Sequence, residues 1–527
     1  MDLKTSSITA TTVKPINQST KKHLRGSTLL LAGRVISMAT NFAIQVLTVR
    51  YLSKSDYGAF AYAMSLVSLG SSLAVFGLGK TITRFVPIYQ EKGEYPKLFG
   101  TIIMVVSTIV SLGLFLVLLV FGLRGWIAGS LVNDPLAVNL LVLLIVLSPI
   151  EAIDNLLVGM LAIFASPRTI FFRRHVLGPG LKLLVVLLLV LLGSNVYFLA
   201  TGYLVAGALG VIIYTGILLR SLRNQELWEH FDIHTVRFPI KEIFGFSIPL
   251  FSTDLVYLIR HSLVVVMLEY FRSTLDVAAF RAVIPVAGLN MMVIQSFTFL
   301  FMPTVARMFA NKDQEGIDDL YWQSAIWITV ITFPIFLVTF SLAQPLTLLL
   351  FGERYAQSGL VMALLAFGYY FNAALGFNAD TLRVFGNIRY IIVIDVLAMV
   401  VSLGLSLLLI PRYGALGAAI GTCGTLVVHN ILNHAGLKFT TNVNLFQWRY
   451  LRVYGSIALG TLVLFAFQTT ISPPIYIGLL IAGLISFVIL WINRHVLNME
   501  QTFPELLRFK LVRLFFKTNP IDYKATR

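Results

Sequence analysis

The chain has 527 residues, 57% of them hydrophobic and 12% charged, with a mean hydropathy of +0.84 and a formal net charge of +16. Soluble domains carry about 25% charged residues, so a water-soluble fold burying this much apolar surface is excluded and a bilayer-embedded one is required. The basic excess is spread over short segments between apolar stretches and not gathered on one polar face, so no nucleic-acid partner is expected.

Residues 1–24 are polar, rich in Ser, Thr and Lys, and are read as a disordered cytoplasmic tail. The apolar run that follows is long and lacks a small-residue cleavage site, so it reads as a retained first helix. A membrane helix needs ~20 apolar residues to cross ~30 Å of hydrocarbon. That rule places spans near 27–49, 58–79, 99–121, 136–163, 170–192 and 196–219. It places eight more near 242–268, 277–301, 322–344, 358–381, 389–410, 413–436, 452–470 and 475–492. The fold class is therefore all-α, a polytopic membrane protein with about fourteen transmembrane helices. The expected units are an N-terminal lobe (25–220), a charged linker (221–241), a C-terminal lobe (242–437), two further helices (438–492) and a basic cytoplasmic tail (493–527). In that tail Phe503, Leu506, Leu507, Leu511, Leu514 and Phe515 recur at helical spacing among basic residues, the pattern of a helix lying on the membrane surface.

Charge asymmetry tests the count. With the N-terminus in the cytoplasm, thirty of the 40 Lys and Arg fall on the cytoplasmic side and six in outer loops, with Arg34, Lys182, Arg260 and Arg281 inside spans. A missed helix in the middle would invert everything after it and destroy this bias. Both termini are thus expected in the cytoplasm. The chain also repeats itself. Tyr51–Phe60 after the first span resembles Tyr270–Phe280 after the seventh, and Asn195-Val-Tyr197 before the sixth resembles Pro411-Arg-Tyr413 before the twelfth. The offset stays near 216–222 residues, an even number of spans, which describes two parallel six-helix lobes plus two C-terminal helices.

Loops this short leave function to the helices, where an ionisable residue costs ~2.5–3.5 kcal/mol or more unless it meets a partner or water. The first span carries Ser27, Arg34, Ser37, Asn41, Gln45 and Thr48 on one stripe, and the second carries Ser65, Ser68 and Ser72. In the seventh, Ser247, Asp254 and His261 recur every seven residues, with Arg260 at the stripe's edge; in the eighth, Arg281, Gly288 and Gln295 do so. Single Ser residues on such helices are commonly packing contacts. Three arginines are not, and they point to a hydrated cationic cavity for an anionic substrate, because guanidinium forks match phosphate. Arg34, Asn41, Gln45, Arg260, Arg281 and Gln295 are the candidate cavity residues, and Asp254 with His261 the candidates for H⁺ or Na⁺ coupling, unless Asp254 is the ion-pair partner of Arg260. Glu151 and Asp154 are expected to pair with Lys182 or Arg174, Asp380 with Arg383, and Asp395 with Arg389 or Arg383. The sole cysteine, Cys423, excludes disulfides and a cysteine metal site; no catalytic constellation and no cofactor is expected.

Two lobes with polar first and second helices, the Tyr51…Asp56-Tyr-Gly58 run, and Leu409-Ile-Pro-Arg-Tyr-Gly-Ala-Leu-Gly-Ala-Ala-Ile-Gly-Thr422 together resemble the MOP flippase superfamily, in particular its Wzx-type polysaccharide transporters. The resemblance implies alternating access between V-shaped lobes, a polyprenyl-(pyro)phosphate-linked glycan as cargo, and a prokaryotic plasma (inner) membrane location. It also implies Arg34 and Arg281 in the central cavity, with membrane lipids and the glycosyltransferases and polymerase of the same pathway as partners. The alternatives are a multidrug antiporter of the same superfamily and, from another class, a glycan polymerase or ligase. The short outer loops argue against the latter.

Overall fold

The computed structural model describes the backbone of residues 18–441, 443–444, 446–497 and 499, and side chains from Gly33 onward except at a few helical positions that include Tyr257, Arg260 and His261. The surface helix expected at 503–517 lies outside the described residues.

Every expected span has its helix. The N-terminal lobe comprises α1 (Gln18–Tyr51), α2a and α2b (Lys54–Val75, Leu78–Glu91), α3 (Tyr95–Gly122), α4a and α4b (Pro135–Leu144, Leu147–Phe164), α5 (Arg168–Leu191) and α6 (Val196–Asn224). The C-terminal lobe comprises α7 (Ile240–Phe271), α8a and α8b (Thr274–Ala287, Leu289–Ala310), α9 (Gln314–Ser341), α10a and α10b (Ser358–Ala374, Asn378–Val384), α11 (Ile388–Tyr413) and α12 (Ala415–Thr441), followed by α13 (Leu451–Ile471) and α14 (Ile475–Asn493). Among the described residues, twelve helices are long and apolar enough to cross a bilayer. α1 and α7 are continuous helices of 34 and 32 residues.

The repeat is visible in the packing. α5 lies on α1 as α11 lies on α7, α2 meets α4 as α8 meets α10, α4 meets α6 as α10 meets α12, and α3 flanks α4 as α9 flanks α10. The recurring sequence motifs are what set the corners. Ser53 Oγ accepts from the Asp56 amide at 3.0 Å and starts α2a, and Asn195 Oδ1 accepts from Tyr197 and Phe198 at 3.1 and 3.2 Å to start α6. Tyr51 ties the two corners together by donating to the Ser194 carbonyl at 2.8 Å. In the other lobe Asp276 Oδ1 accepts from the Ala415 amide at 3.0 Å, so the two repeated motifs of that half also meet. The symmetry fails at α9. Its counterpart α3 exposes Leu114, Phe115 and Leu118, whereas α9 is largely buried because α13 and α14 pack over it.

Two breaks position the site. α2 breaks where Phe76 (φ 49°) and Gly77 (φ 70°) enter the left-handed region, which frees backbone carbonyls. Ser247 of α7 satisfies one of them by donating its hydroxyl to the Phe76 carbonyl. α5 widens into a π turn over Phe172–Leu177, directly before the Gly178-Pro179-Gly180 run, whose proline removes a backbone hydrogen bond.

Candidate functional site

The lobes meet along α2 and the α7–α8 pair. Ser65, Ser68 and Ser72 of α2a, Asn155 of α4b, Asp254, Leu258 and Ser262 of α7, and Arg281 of α8a line a cavity of about 510 Å³ between them. Asp254, Leu258 and Ser262 are spaced by four and so share one face of α7.

At one end of this cavity, the end expected to face the cytoplasm, the lobes are fastened. Lys80 Nζ of α2b lies 2.8 and 3.0 Å from the two Asp254 carboxylate oxygens, with side chains 58% and 48% exposed. A pair this open to solvent contributes ~0–1 kcal/mol. Beside it Phe76 stacks on Phe251 at 4.3 Å, and the Arg84 guanidinium lies 4.4 Å over the Phe246 ring. Tyr89 donates to Glu242 at 2.6 Å. At the other end Arg50 donates to the Leu349 and Leu350 carbonyls, Arg354 donates to the Arg50 carbonyl, and Thr274 donates to Asp134 at 2.9 Å. There α2a and α8a cross so closely that a Cβ on Gly58 would collide with the Thr274 carbonyl. The lobes thus touch at both ends of the cavity.

The candidate residues divide between several places. Arg281 and Asp254 line the interlobe cavity. Arg34 donates to Gln295, joining α1 to α8b across the lobes. Asn41 instead lines a second cavity of about 360 Å³ inside the N-terminal lobe, and Gln45 donates to the Tyr57 hydroxyl at 2.6 Å. The polar stripe of α1 therefore does not face one cavity: its residues serve a lobe contact, an intralobe cavity and an α1–α2 bond. Arg260 and His261 fall on α7, but their side chains lie outside the described residues.

The N-terminal-lobe cavity holds its charges in pairs. Lys182 is 3.9 Å from Glu151, as expected. Asp154 pairs not with Arg174 but with Arg173, at 2.7 Å; that guanidinium is buried and lies 3.7 Å over the Tyr214 ring. The π turn adds a residue to the helical turn here, which brings position 173 toward α4. Asp380 and Arg383 pair at 2.8 Å. Asp395 meets His429 of α12 at 2.9 Å, not an arginine, because α11 packs along α12. Asn155 borders both cavities.

Lys80, which closes one end of the interlobe cavity, is a residue that the sequence alone does not single out. It follows directly on the expected end of the second span, whereas the Phe76-Gly77 break starts a new helix that carries it to Asp254.

Comparison with known proteins matches this architecture. Residues 47–360 match the family model described as "Polysaccharide biosynthesis protein". Among curated relatives, a probable low-salt glycan biosynthesis flippase, Agl15 of Haloferax volcanii, is 21% identical over 92% of this chain and 98% of its own length. The succinoglycan biosynthesis transport protein ExoT of Rhizobium meliloti is 23% identical over 63% of this chain and 64% of its own. For the capsular polysaccharide biosynthesis protein CapF of Staphylococcus aureus, 23% identical, the match spans 36% of this chain and about half, 48%, of that protein. The fold is that of the lipid II flippase MurJ in an inward closed conformation (TM-score 0.68, 15% identity, 90% of this chain and 100% of that one). It is also that of an inward-facing MATE-family multidrug transporter (TM-score 0.61, 14% identity, 77% and 94%). With more than half its length matched by the family model, the chain belongs to the polysaccharide biosynthesis protein family, and it shares its fold with MurJ and a MATE transporter.

Proposed function

We propose that the protein is a flippase that moves a polyprenyl-(pyro)phosphate-linked oligosaccharide from the cytoplasmic to the outer leaflet by alternating access. The observation that carries this reading is the interlobe cavity, with Arg281 and the Asp254–Lys80 pair for phosphate chemistry and the α2a serines for sugar hydroxyls. The polyprenyl chain stays in lipid between the lobes while the lobes rock about the head group. No reaction chemistry is needed, since the cargo leaves as it entered. The membrane is a prokaryotic plasma membrane with both termini in the cytoplasm, in keeping with the thirty basic residues expected on that side. Glycosyltransferases and a polymerase of the same pathway supply and consume the cargo. Transport against a gradient is coupled to H⁺ or Na⁺, with Asp254 as the acid that faces both the cavity and the opposite lobe.

The test is glycan export in cells carrying Arg34→Ala or Arg281→Ala at matched expression. Removing Arg281 takes away a charge-assisted contact to phosphate, and export is expected to fall about tenfold. Export unchanged by both substitutions would overturn the cationic-cavity reading. The second reading, a multidrug antiporter, draws on the shared MATE fold. The pairing of Glu151 with Lys182 and of Asp154 with Arg173 weighs against it, since a lipophilic cation needs a carboxylate that is not already neutralised. Drug resistance conferred without glycan export would establish it.

A further inference from the structure

We infer that Lys80 is a phosphate-binding residue and that Asp254 is its built-in competitor, a carboxylate that occupies the ammonium group whenever the cargo's phosphate is absent. This rests on the flippase reading above and names which cation the cargo's anionic group meets first. Three observations carry it. Lys80 Nζ is held by both Asp254 oxygens at 2.8 and 3.0 Å, the way a phosphate would present two oxygens to it. The two partners stand on different lobes, α2b and α7, and both are about half exposed, so an incoming anion reaches the ammonium without unpacking a core. Asp254 also lines the same cavity as Arg281, so an anion at Lys80 lies against a like-charged carboxylate at the edge of a cavity that holds a further cation.

The consequence is a latch that reads charge. In the empty protein Asp254 neutralises Lys80, and the adjoining Phe76–Phe251 stack and the bond from Ser247 to the Phe76 carbonyl hold α7 against the break in α2. A (pyro)phosphate carries more charge than a carboxylate and takes the ammonium from it. Asp254 is then left unpaired next to a like charge, which repels α7 from α2b and parts the lobes at that end. A neutral or cationic lipid has no means of doing so.

The experiment uses the full-length protein in lipid nanodiscs, with C55 polyprenyl pyrophosphate as the ligand and two variants, Asp254→Asn and Lys80→Gln. Lobe contact is read as the disulfide cross-linking yield between Phe85→Cys and Phe246→Cys, whose native rings lie 5.7 Å apart, in a Cys423→Ala background. Both variants are expected to lower cross-linking of the empty protein. Their affinities for the ligand are expected to move in opposite directions, Asp254→Asn binding about threefold tighter and Lys80→Gln about threefold weaker than the parent. Tighter binding cannot come from a misfolded variant. If both variants bind equally or both bind more weakly, the competitor role is overturned while the flippase reading stands. If the parent binds no polyprenyl pyrophosphate, the flippase reading itself falls, and this inference with it. Inorganic pyrophosphate at the same concentration separates the sources of the anion. A cross-linking yield lowered by the lipid-linked form alone supports the head group as the trigger, and a yield lowered by the free anion alone overturns it.

Discussion

The two cavities hold similar charges and use them differently. Inside the N-terminal lobe, Glu151 with Lys182 and Asp154 with Arg173 are paired between helices that belong to one packed body. Between the lobes, Asp254 and Lys80 are paired across two separate bodies. A pair within one body stabilises that body in every state of the transport cycle. A pair across bodies stabilises only the states in which the bodies are closed. The same chemistry is thus structural in one place and a conformational bias in the other.

Arg173→Ala should have the largest effect on the fold. Arg173 is 2% exposed, and its guanidinium donates to the Asp154 side chain and to the Asp154 carbonyl and stacks on Tyr214. Losing its charge-assisted bonds to Asp154, itself 39% exposed, costs about 1.5–3 kcal/mol and the contact with the Tyr214 ring ~1–2 kcal/mol more, so thermal unfolding in detergent should show a clearly destabilised protein. A variant that melted like the parent would erase the distinction between the two cavities. Gly58→Val is expected to act on the other side of the comparison. Its side chain would meet the Thr274 carbonyl where α2a crosses α8a, at a cost of about 1–3 kcal/mol paid only in states closed at that end. Distance measurements between spin labels on the two lobes should show that end opened, with the melting of the N-terminal lobe unchanged. Lys182→Gln is expected to do least. At 3.9 Å, with both side chains partly exposed, its pair with Glu151 is worth about 0.5 kcal/mol, and neither melting nor export should change measurably.

Span positions and the repeat were legible because hydropathy and charge asymmetry are properties of whole segments, and no tertiary detail alters them. The corner motifs were legible for a local reason: Ser53, Asn195 and Asp276 act on backbone amides at helix starts. Partner assignment was not. Asp154 found Arg173 instead of Arg174 because the π turn of Phe172–Leu177 shifts the helical register by a residue, and helical-wheel reasoning assumes an unbroken α-helix. Asp395 found His429 because which helix faces α11 is decided by packing. The α1 stripe looked like one surface in projection, yet it distributes Arg34, Asn41 and Gln45 to three neighbours. Lys80 was hidden because a span-counting rule ends a helix where the charges begin, while here the chain breaks at Phe76-Gly77 and resumes.

The close crossing at Gly58 also sets a mechanical ratio. Gly58 and Lys80 are 22 residues apart along α2, at most about 33 Å at ~1.5 Å per helical residue, because α2 breaks at Phe76-Gly77. A rigid rotation of about 15° about a fulcrum at Gly58 would therefore part Lys80 from Asp254 by at most about 9 Å, close to a helix diameter. A side chain as small as hydrogen lets the two arms of this lever come close enough to pivot, and the length of α2 turns a modest angle into an opening wide enough for a sugar.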